Sequence, residues 1–274
     1  MKFDKMQALG NDFVLINSDQ YPEEFSKDFF INVCDRHCGI GCDLVVLYKL
    51  QNDEVFARFF NPDGSETEIC GNAARCIGLL MKKRQGLSKC TLKTTKKVYP
   101  ILIRNEKVCI EMGQPSFNLK DIGILQPDVD PLSILEKLEL PRDLGIYHVS
   151  CVSIGNPHLI LFCKNILARE KIISTGALLE NHHLFKNKIN VSFAYVKSKS
   201  EIILSVFERG AGLTLACGSG ACASVATAYI NGIIERENIF VKQRGGSLMI
   251  SLDKNVNIFQ TGPAVYVFSG EMEI

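Results

Sequence analysis

The sequence predicts an α/β fold of mixed sheet and helix, arranged as two pseudo-symmetric domains that arose by internal duplication. Short words recur in order about half a chain apart, and both halves combine strand-length apolar runs with one strong helix. Leu9-Gly10-Asn11 followed by Phe13-Val14-Leu15-Ile16 returns as Ile154-Gly155-Asn156 followed by His158-Leu159-Ile160-Leu161, 145 residues later. Phe60, Thr67, Cys70, Gly71 and Ala74 return as Phe207, Thr214, Cys217, Gly218 and Ala221, 147 residues later. A single matching word means little. Two words that keep their mutual distance to within two residues point to duplication.

In the first half, β-rich apolar runs place strands at Phe13 to Asn17, Leu44 to Leu50, Val55 to Phe60, Tyr99 to Arg104 and Lys107 to Met112. Ser26 to Asp35 reads as a helix. Asn72 to Arg84 reads as a better one, with Ile77, Leu80 and Met81 on one stripe, three cations in the last turn and Gly86 as the stop. The second half carries strands at Tyr147 to Ser153, His158 to Phe162, Asn190 to Val196, Glu201 to Phe207, Ser247 to Leu252 and Ala264 to Phe268. Its helix, Gly220 to Ile230, is rich in small residues, suited to close packing on a sheet, and ends near Gly232. Gln114-Pro115 and the stretch from Gln126-Pro127 to Pro141 carry turn and linker signals, with a small helix within Pro131 to Leu138.

The 274 residues are 46% hydrophobic and 22% charged with a net charge of +1, so neither a nucleic-acid platform nor a membrane-spanning segment is expected. Lys82-Lys83-Arg84 and Lys96-Lys97 are too short for a basic stripe. Met1 to Leu9 lacks the continuous apolar core of a signal peptide, and eleven cysteines, an odd number, fit a reducing, cytoplasmic setting. Cys34, Cys109, Cys151 and Cys163 sit in apolar or strand-like surroundings and read as small buried hydrophobes. His37, Cys38 and Cys42 superficially suggest a metal site, but no second cysteine pair stands at zinc spacing, and no complete phosphate-binding glycine motif is present. No metal and no cofactor are expected.

The chemistry concentrates in the repeated cysteines. Asn61-Pro62-Asp63-Gly64 precedes Cys70-Gly71-Asn72-Ala73-Ala74-Arg75, and Glu208-Arg209-Gly210 precedes Cys217-Gly218-Ser219-Gly220-Ala221. The glycine after each cysteine permits close approach of a ligand, and the peptide N–H groups that open the helix can hold a carboxylate. The same field favours thiolate over thiol. If the halves close face to face, the two thiols reach one α-carbon from opposite sides, one removing the proton and the other donating one, so the centre inverts. Charge developing on the carboxylate would meet the N–H groups of Gly71, Asn72, Gly218 and Ser219. Asn11, Asn61, Asn156 and Asn190 are candidate polar ligands of the substrate, although an isolated asparagine usually serves a turn. Arg209 offers a fork for a second carboxylate, Glu208 can meet an ammonium group or influence a thiol, and the repeated glycine-asparagine word places His158 in the same cavity.

These words together resemble the diaminopimelate epimerase family over essentially the whole chain. The resemblance rests on Gly10-Asn11-Asp12-Phe13, both cysteine motifs, Gly155-Asn156-Pro157-His158, Glu208-Arg209-Gly210-Ala211-Gly212 and Thr261-Gly262-Pro263-Ala264. It implies interconversion of LL- and meso-diaminopimelate, a step toward lysine and peptidoglycan precursors, on a small amino-acid substrate. It implies Cys70 and Cys217 as the acid-base thiols, His158 supporting Cys70, and Glu208 supporting Cys217. Asn11, Asn61, Asn156, Asn190 and Arg209 would grip the non-reacting end of the substrate, and backbone groups of Gly71, Asn72, Gly218 and Ser219 the reacting carboxylate. It further implies two diaminopimelate-epimerase-like domains, 1–118 with the C-terminal strand 264–274, and 119–263; a homodimer is left open. Leu44 and Ala73 depart from the family pattern, where glutamine or glycine and glycine are usual. Leu44 removes a side-chain hydrogen bond and keeps a related cysteine-pair racemase of another polar amino acid in play. An inactive amino-acid-binding domain is disfavoured by the retention of both cysteines.

Overall fold

The computed structural model describes residues 1–21, 24–138, 140–235 and 238–273. The chain divides into two compact units, Met1–Glu111 with Thr261–Ile274, and Met112–Gln260.

In the first unit the elements are β1 (Lys2–Ala8), β2 (Asn11–Asn17), α1 (Lys27–Cys34), β3 (Leu44–Gln51), β4 (Glu54–Phe60), the short β5 (Glu66–Thr67), α2 (Gly71–Gln85), β6 (Lys89–Lys93), β7 (Val98–Arg104) and β8 (Lys107–Gly113). β1 pairs antiparallel with β2, β2 parallel with β3, and β3 antiparallel with β4. β4 pairs antiparallel with β5 and parallel with β6, and β6, β7 and β8 follow antiparallel. α1 makes the crossover between the parallel pair β2 and β3, as a parallel connection demands.

The second unit holds α3 (Leu119–Ile122), β9 (Ile146–Ser153), β10 (Pro157–Cys163), α4 (Arg169–Glu180), β11 (Asn190–Ser198), β12 (Glu201–Glu208), β13 (Gly212–Leu213), α5 (Gly218–Ile230), β14 (Ile239–Gln243), β15 (Gly246–Leu252) and β16 (Ile258–Pro263). Its pairings repeat the first unit's: β9 antiparallel to β10, β10 parallel to β11, and β11 antiparallel to β12. β12 is antiparallel to β13 and parallel to β14, and β14 is antiparallel to β15. The duplication read from short words is therefore also a duplication of topology. The last strand, β17 (Val265–Glu271), pairs antiparallel with β1.

Each unit has its own apolar core. Phe3, Val14, Ile16, Phe30, Val33, Val45, Leu47 and Phe60 form one, joining α1 to β1 through β4. Ile134, Val149, Leu159, Leu161, Leu179, Val191 and Phe193 belong to the other. The expected linker contributes Val129, Ile134 and Leu138 to that second core, and the expected small helix is a single 3-10 turn at Leu135–Lys137. Glu139 of that linker and Ile274 of the expected C-terminal strand lie outside the described residues.

α2 and α5 are the buried helices. α2 stops at Gly86, whose φ of 70° is left-handed and whose N–H returns to the Lys82 carbonyl, with Lys82, Lys83 and Arg84 in the last turn. Gly78 lets α2 lie against β7 and β8, because a Cβ there would stand 2.7 Å from Val108 Cγ1 and 2.9 Å from Ile101 Cγ2. α5 buries small residues on every side, and Ser224 and Thr227 return their hydroxyls to the carbonyls of Gly220 and Ala223.

Several elements differ from the sequence expectation. β1 escaped it because Asp4 and Lys5 gave Met1 to Leu9 a polar look, yet both are buried: Asp4 accepts from Arg84 and the Tyr266 hydroxyl, and Lys5 donates to Asp12 and the Gly41 carbonyl. α4, β6, β14 and β16 were also unanticipated. Both cysteine helices begin earlier than expected, at Gly71 and Gly218. The Gly78 contact predicts that Gly78→Val lowers the free energy of unfolding by roughly 2 kcal/mol or more, through overpacking. Urea unfolding measures this, and an unchanged midpoint would show that the helix does not lie so close.

Candidate active site

Cys70 and Cys217 occupy the same structural position, the extended N-cap residue before α2 and α5. The first helical hydrogen bonds run from Ala74 N–H to the Cys70 carbonyl (2.9 Å) and from Ala221 N–H to the Cys217 carbonyl (3.1 Å). The amides of Gly71 and Asn72, and of Gly218 and Ser219, thus lie ahead of each helical ladder. This is the placement the sequence suggested for a carboxylate grip.

Around Cys70, Asn11 presents Oδ1 to the thiol at 3.6 Å and receives the Asn72 side-chain N–H at 3.4 Å. Asn11 is itself held, donating to Asp43 Oδ2 at 2.7 Å. Asp43 also accepts the Asp12 amide and one arm of Arg36, while Arg36 grips Asp12 with both arms and Lys5 donates to Asp12. Burial works against the Asp12 carboxylate, but the hydrogen bonds and charges of Arg36 and Lys5 outweigh it and bring the group down to about 2. Behind Asn72, fully buried Arg75 donates to Asn72 Oδ1 (2.6 Å), the Gly71 carbonyl (3.3 Å) and the Pro263 carbonyl (3.0 Å). Asn61 directly follows β4 and donates its side-chain N–H to Ser65 Oγ at 3.0 Å, inside its own turn.

Cys217 is more enclosed. Gln243 Oε1 accepts its backbone N–H at 2.8 Å, the Gly220 N–H points to its sulfur at 3.4 Å, and Ser219 Oγ lies 3.5 Å from the sulfur. Burial pushes the thiol well up, and Glu208 adds to this by its negative charge and by accepting the thiol proton; the donors Ser219 and Gly220 pull the other way. The sequence expectation that the helix field favours thiolate is therefore reversed here at rest, because desolvation and a carboxylate outweigh the field of one helix turn. Glu208 is fixed in turn by the Thr214 hydroxyl at 2.5 Å.

His158 is fully buried on β10, its Nε2 3.0 Å from Ser219 Oγ and 3.2 Å from Asn156 Oδ1. Burial first, and the Arg209 charge second, bring its pKa down to about 3, so the ring is neutral at working pH. An amide oxygen only accepts, which puts the ring proton on Nε2 and leaves Nδ1 as a bare acceptor. Asn156 also donates to Ser219 Oγ at 3.2 Å. Asn190 bridges two loops, donating to the Pro157 carbonyl at 2.9 Å and accepting the Arg209 amide at 3.0 Å. The Arg209 side chain is exposed and bonds the Asn187 carbonyl at 3.1 Å.

Within the second unit Cys217, Glu208, Ser219, Asn156 and His158 thus form one hydrogen-bonded group, with Asn190 setting the loops beside it. Within the first, Cys70, Asn11 and Asn72 form another, which Arg75 ties to the Gly71 carbonyl. Asp12, Arg36, Asp43, Arg75, Thr214 and Gln243 received no role from the sequence, although Asp12, Arg75 and Thr214 lie inside the very words that drew attention. Their signal was a charge or amide repeatedly adjacent to a site word, which only a contact converts into a function.

This duplicated α/β architecture, each half opening a buried helix after a cysteine, defines the fold class. A probable proline racemase from Agrobacterium radiobacter shares the fold, with a TM-score of 0.72 over 100% of this chain and 93% of that one, at 12% sequence identity. The profile of the diaminopimelate epimerase family matches residues 3–118 and 150–267. Diaminopimelate epimerases of Methanococcus maripaludis and Acetivibrio thermocellus are 39% and 37% identical, covering 100% of this chain and 100% and 99% of theirs. The chain belongs to the diaminopimelate epimerase family.

Two outcomes follow. Because the Asp12 pKa is depressed, its contribution to stability is present above the unfolded value near 3.8 and is lost as pH falls toward about 2. Asp12→Asn should remove about 2 kcal/mol of stability at neutral pH and flatten the pH dependence between about 4 and about 2, read by denaturant unfolding at each pH. Glu208→Gln removes the charge that holds the Cys217 proton and leaves only a neutral amide oxygen as acceptor, so alkylation of Cys217, followed by peptide mass, should begin at lower pH than in the wild type. Unchanged alkylation would remove Glu208 from the Cys217 environment.

Proposed function

We propose that this protein interconverts LL- and meso-2,6-diaminopimelate without a cofactor, using Cys70 and Cys217 as the two acid-base groups. The observation that carries the reading is the identical placement of both thiols at the N-caps of buried helices, in a chain of this family. The reaction needs one sulfur to remove the α-proton and the other to deliver a proton to the opposite face of the same carbon. Cys217 enters as the proton donor, since burial and Glu208 hold its proton in place. Once the proton has left, the Gly220 N–H and the Ser219 hydroxyl stabilise the thiolate for the reverse direction.

The reacting carboxylate is assigned to the amides of Gly71, Asn72, Gly218 and Ser219, which offer donors where charge develops in the transition state. Arg209, Asn11, Asn61, Asn156 and Asn190 are assigned to the distal amino-carboxylate end. Asn11 and Asn190 do so from positions fixed by Asp43 and by the Pro157 and Arg209 backbone. Neutral His158 acts by position rather than as a proton carrier at neutral pH: it orients Ser219, and its bare Nδ1 offers an acceptor. In this role the protein is cytoplasmic and serves lysine and peptidoglycan precursor synthesis; a homodimer is part of the same proposal. No helix among the described residues is long and apolar enough to cross a membrane.

Leu44, at the start of β3 directly after Asp43, favours a second reading, a cysteine-pair racemase of another polar amino acid. A substrate panel separates the two: turnover of diaminopimelate well above monocarboxylic amino acids supports the first. The two-thiol mechanism is tested in deuterated water with pure stereoisomers. Cys217→Ala and Cys70→Ala should each lose rapid inversion, by about 10²-fold or more, while retaining slow deuterium exchange from the face served by the remaining thiol. Folding and analogue binding are checked in parallel. Near wild-type inversion in either variant would sink the mechanism.

A further inference from the structure

Outside the proposed site, one pair of thiols stands in contact. Cys34 closes α1 and Cys42 lies eight residues on, immediately before Asp43; their sulfurs are 3.5 Å apart. The contact is fixed by backbone rather than by chance rotamers. The Cys42 N–H donates to the Cys34 carbonyl at 3.2 Å and the Gly41 N–H to the Val33 carbonyl at 3.0 Å. The intervening turn is stitched by the Asp35 carboxylate, which accepts the amides of His37 and Cys38 at 2.7 Å each. At Gly39 a Cβ would lie 1.8 Å from the Asn32 carbonyl oxygen, so the loop folds back hard on the last turn of α1. With the Cys42 amide bonded to the Cys34 carbonyl and the sulfurs 3.5 Å apart, small side-chain rotations bring the sulfurs to bonding distance.

We propose that Cys34 and Cys42 form a two-electron redox site, which hydrogen peroxide converts to a reversible disulfide. The two sulfurs are unequal. Either sulfur can donate in this contact; with Cys42 as the donor the Cys34 thiol is lowered below its usual value, burial and the charges of Asp43 and Asp12 opposing and Lys5 assisting, and the Cys42 thiol is raised. In that arrangement Cys34 is the nucleophile. Its thiolate attacks one peroxide oxygen, the O–O bond breaks, and hydroxide leaves with the electron pair, giving a sulfenic acid. The Cys42 sulfur then attacks Cys34, its proton leaves, and the sulfenic oxygen departs as water. The two sulfurs have lost two electrons and both peroxide oxygens end as water. The site accepts only a small oxidant because Cys34 and Cys42 are 5% and 2% exposed, in the core with Phe30, Val45 and Phe60. The bond would close the loop that carries Arg36 and ends immediately before Asp43, the residues that hold Asp12 and Asn11.

The test uses the full chain and hydrogen peroxide, read by non-reducing tryptic mapping, and so does not depend on any assumed substrate. Cleavage after Lys27, Arg36 and Lys49 places Cys34 and Cys42 on separate peptides, 28–36 and 37–49. The expected result is a linked pair of these peptides whose fragmentation assigns the bond to Cys42 rather than exposed Cys38. The link should be reversed by dithiothreitol, survive Cys38→Ser, and be lost in Cys42→Ala. Oxidation of Cys34 to sulfinic acid without a link, or a bond mapped to Cys38, would overturn the proposal, whatever the enzyme's activity shows.

Discussion

A helix that begins in a protein interior must find partners for peptide N–H groups that its own ladder does not reach, and both candidate cysteines sit at such a beginning. The surrounding side chains fix the backbone at that beginning. In the first unit Arg75 reaches back from the next turn of α2 to the Gly71 carbonyl and the Asn72 side chain, and to Pro263 beyond. In the second, Gln243 takes the Cys217 amide, and Gln260 lies so close to Gly218 that a Cβ there would stand 2.8 Å from its Nε2. Such groups hold the backbone around the thiols.

The same word gives two different thiols. Cys70 is half-buried beside an amide oxygen, whereas Cys217 is enclosed, faces a carboxylate and holds its proton firmly. The supporting polar groups are themselves buried and bonded: His158, Asn190 and Arg75 each have at least two polar contacts. Those of the Arg75 charge contribute about 1.5–3 kcal/mol each and those of neutral His158 and Asn190 about 0.5–1.5 kcal/mol, enough to fix loop geometry at the cost of low tolerance to substitution.

Much of the architecture was legible because apolar alternation marks strands facing a core, as in β4, β7 and β8, and because Ser26, Gly86 and the small residues of α5 carry helix signals. β1 was not, since its Asp4 and Lys5 are buried only by virtue of distant partners, Arg84, Tyr266 and Asp12. α4 has weak amphipathic contrast, its buried positions including Thr175, Gly176 and Glu180. Cys34 read as a small buried hydrophobe, which it is; that Cys42 lies against it was invisible eight residues away.

The sequence by itself determined the duplication, the helix starts at the two cysteines and the identities of the groups that can do acid-base chemistry, because spacing and residue type are local properties of the chain. Tertiary structure alone decided their states. Burial of Cys217 against Glu208, the neutral ring of His158, the anchoring of Asn11 through Asp43 and of Asn72 through Arg75 all depend on residues brought together across many turns of chain. Desolvation and hydrogen-bond geometry set protonation, and neither exists until the chain has folded.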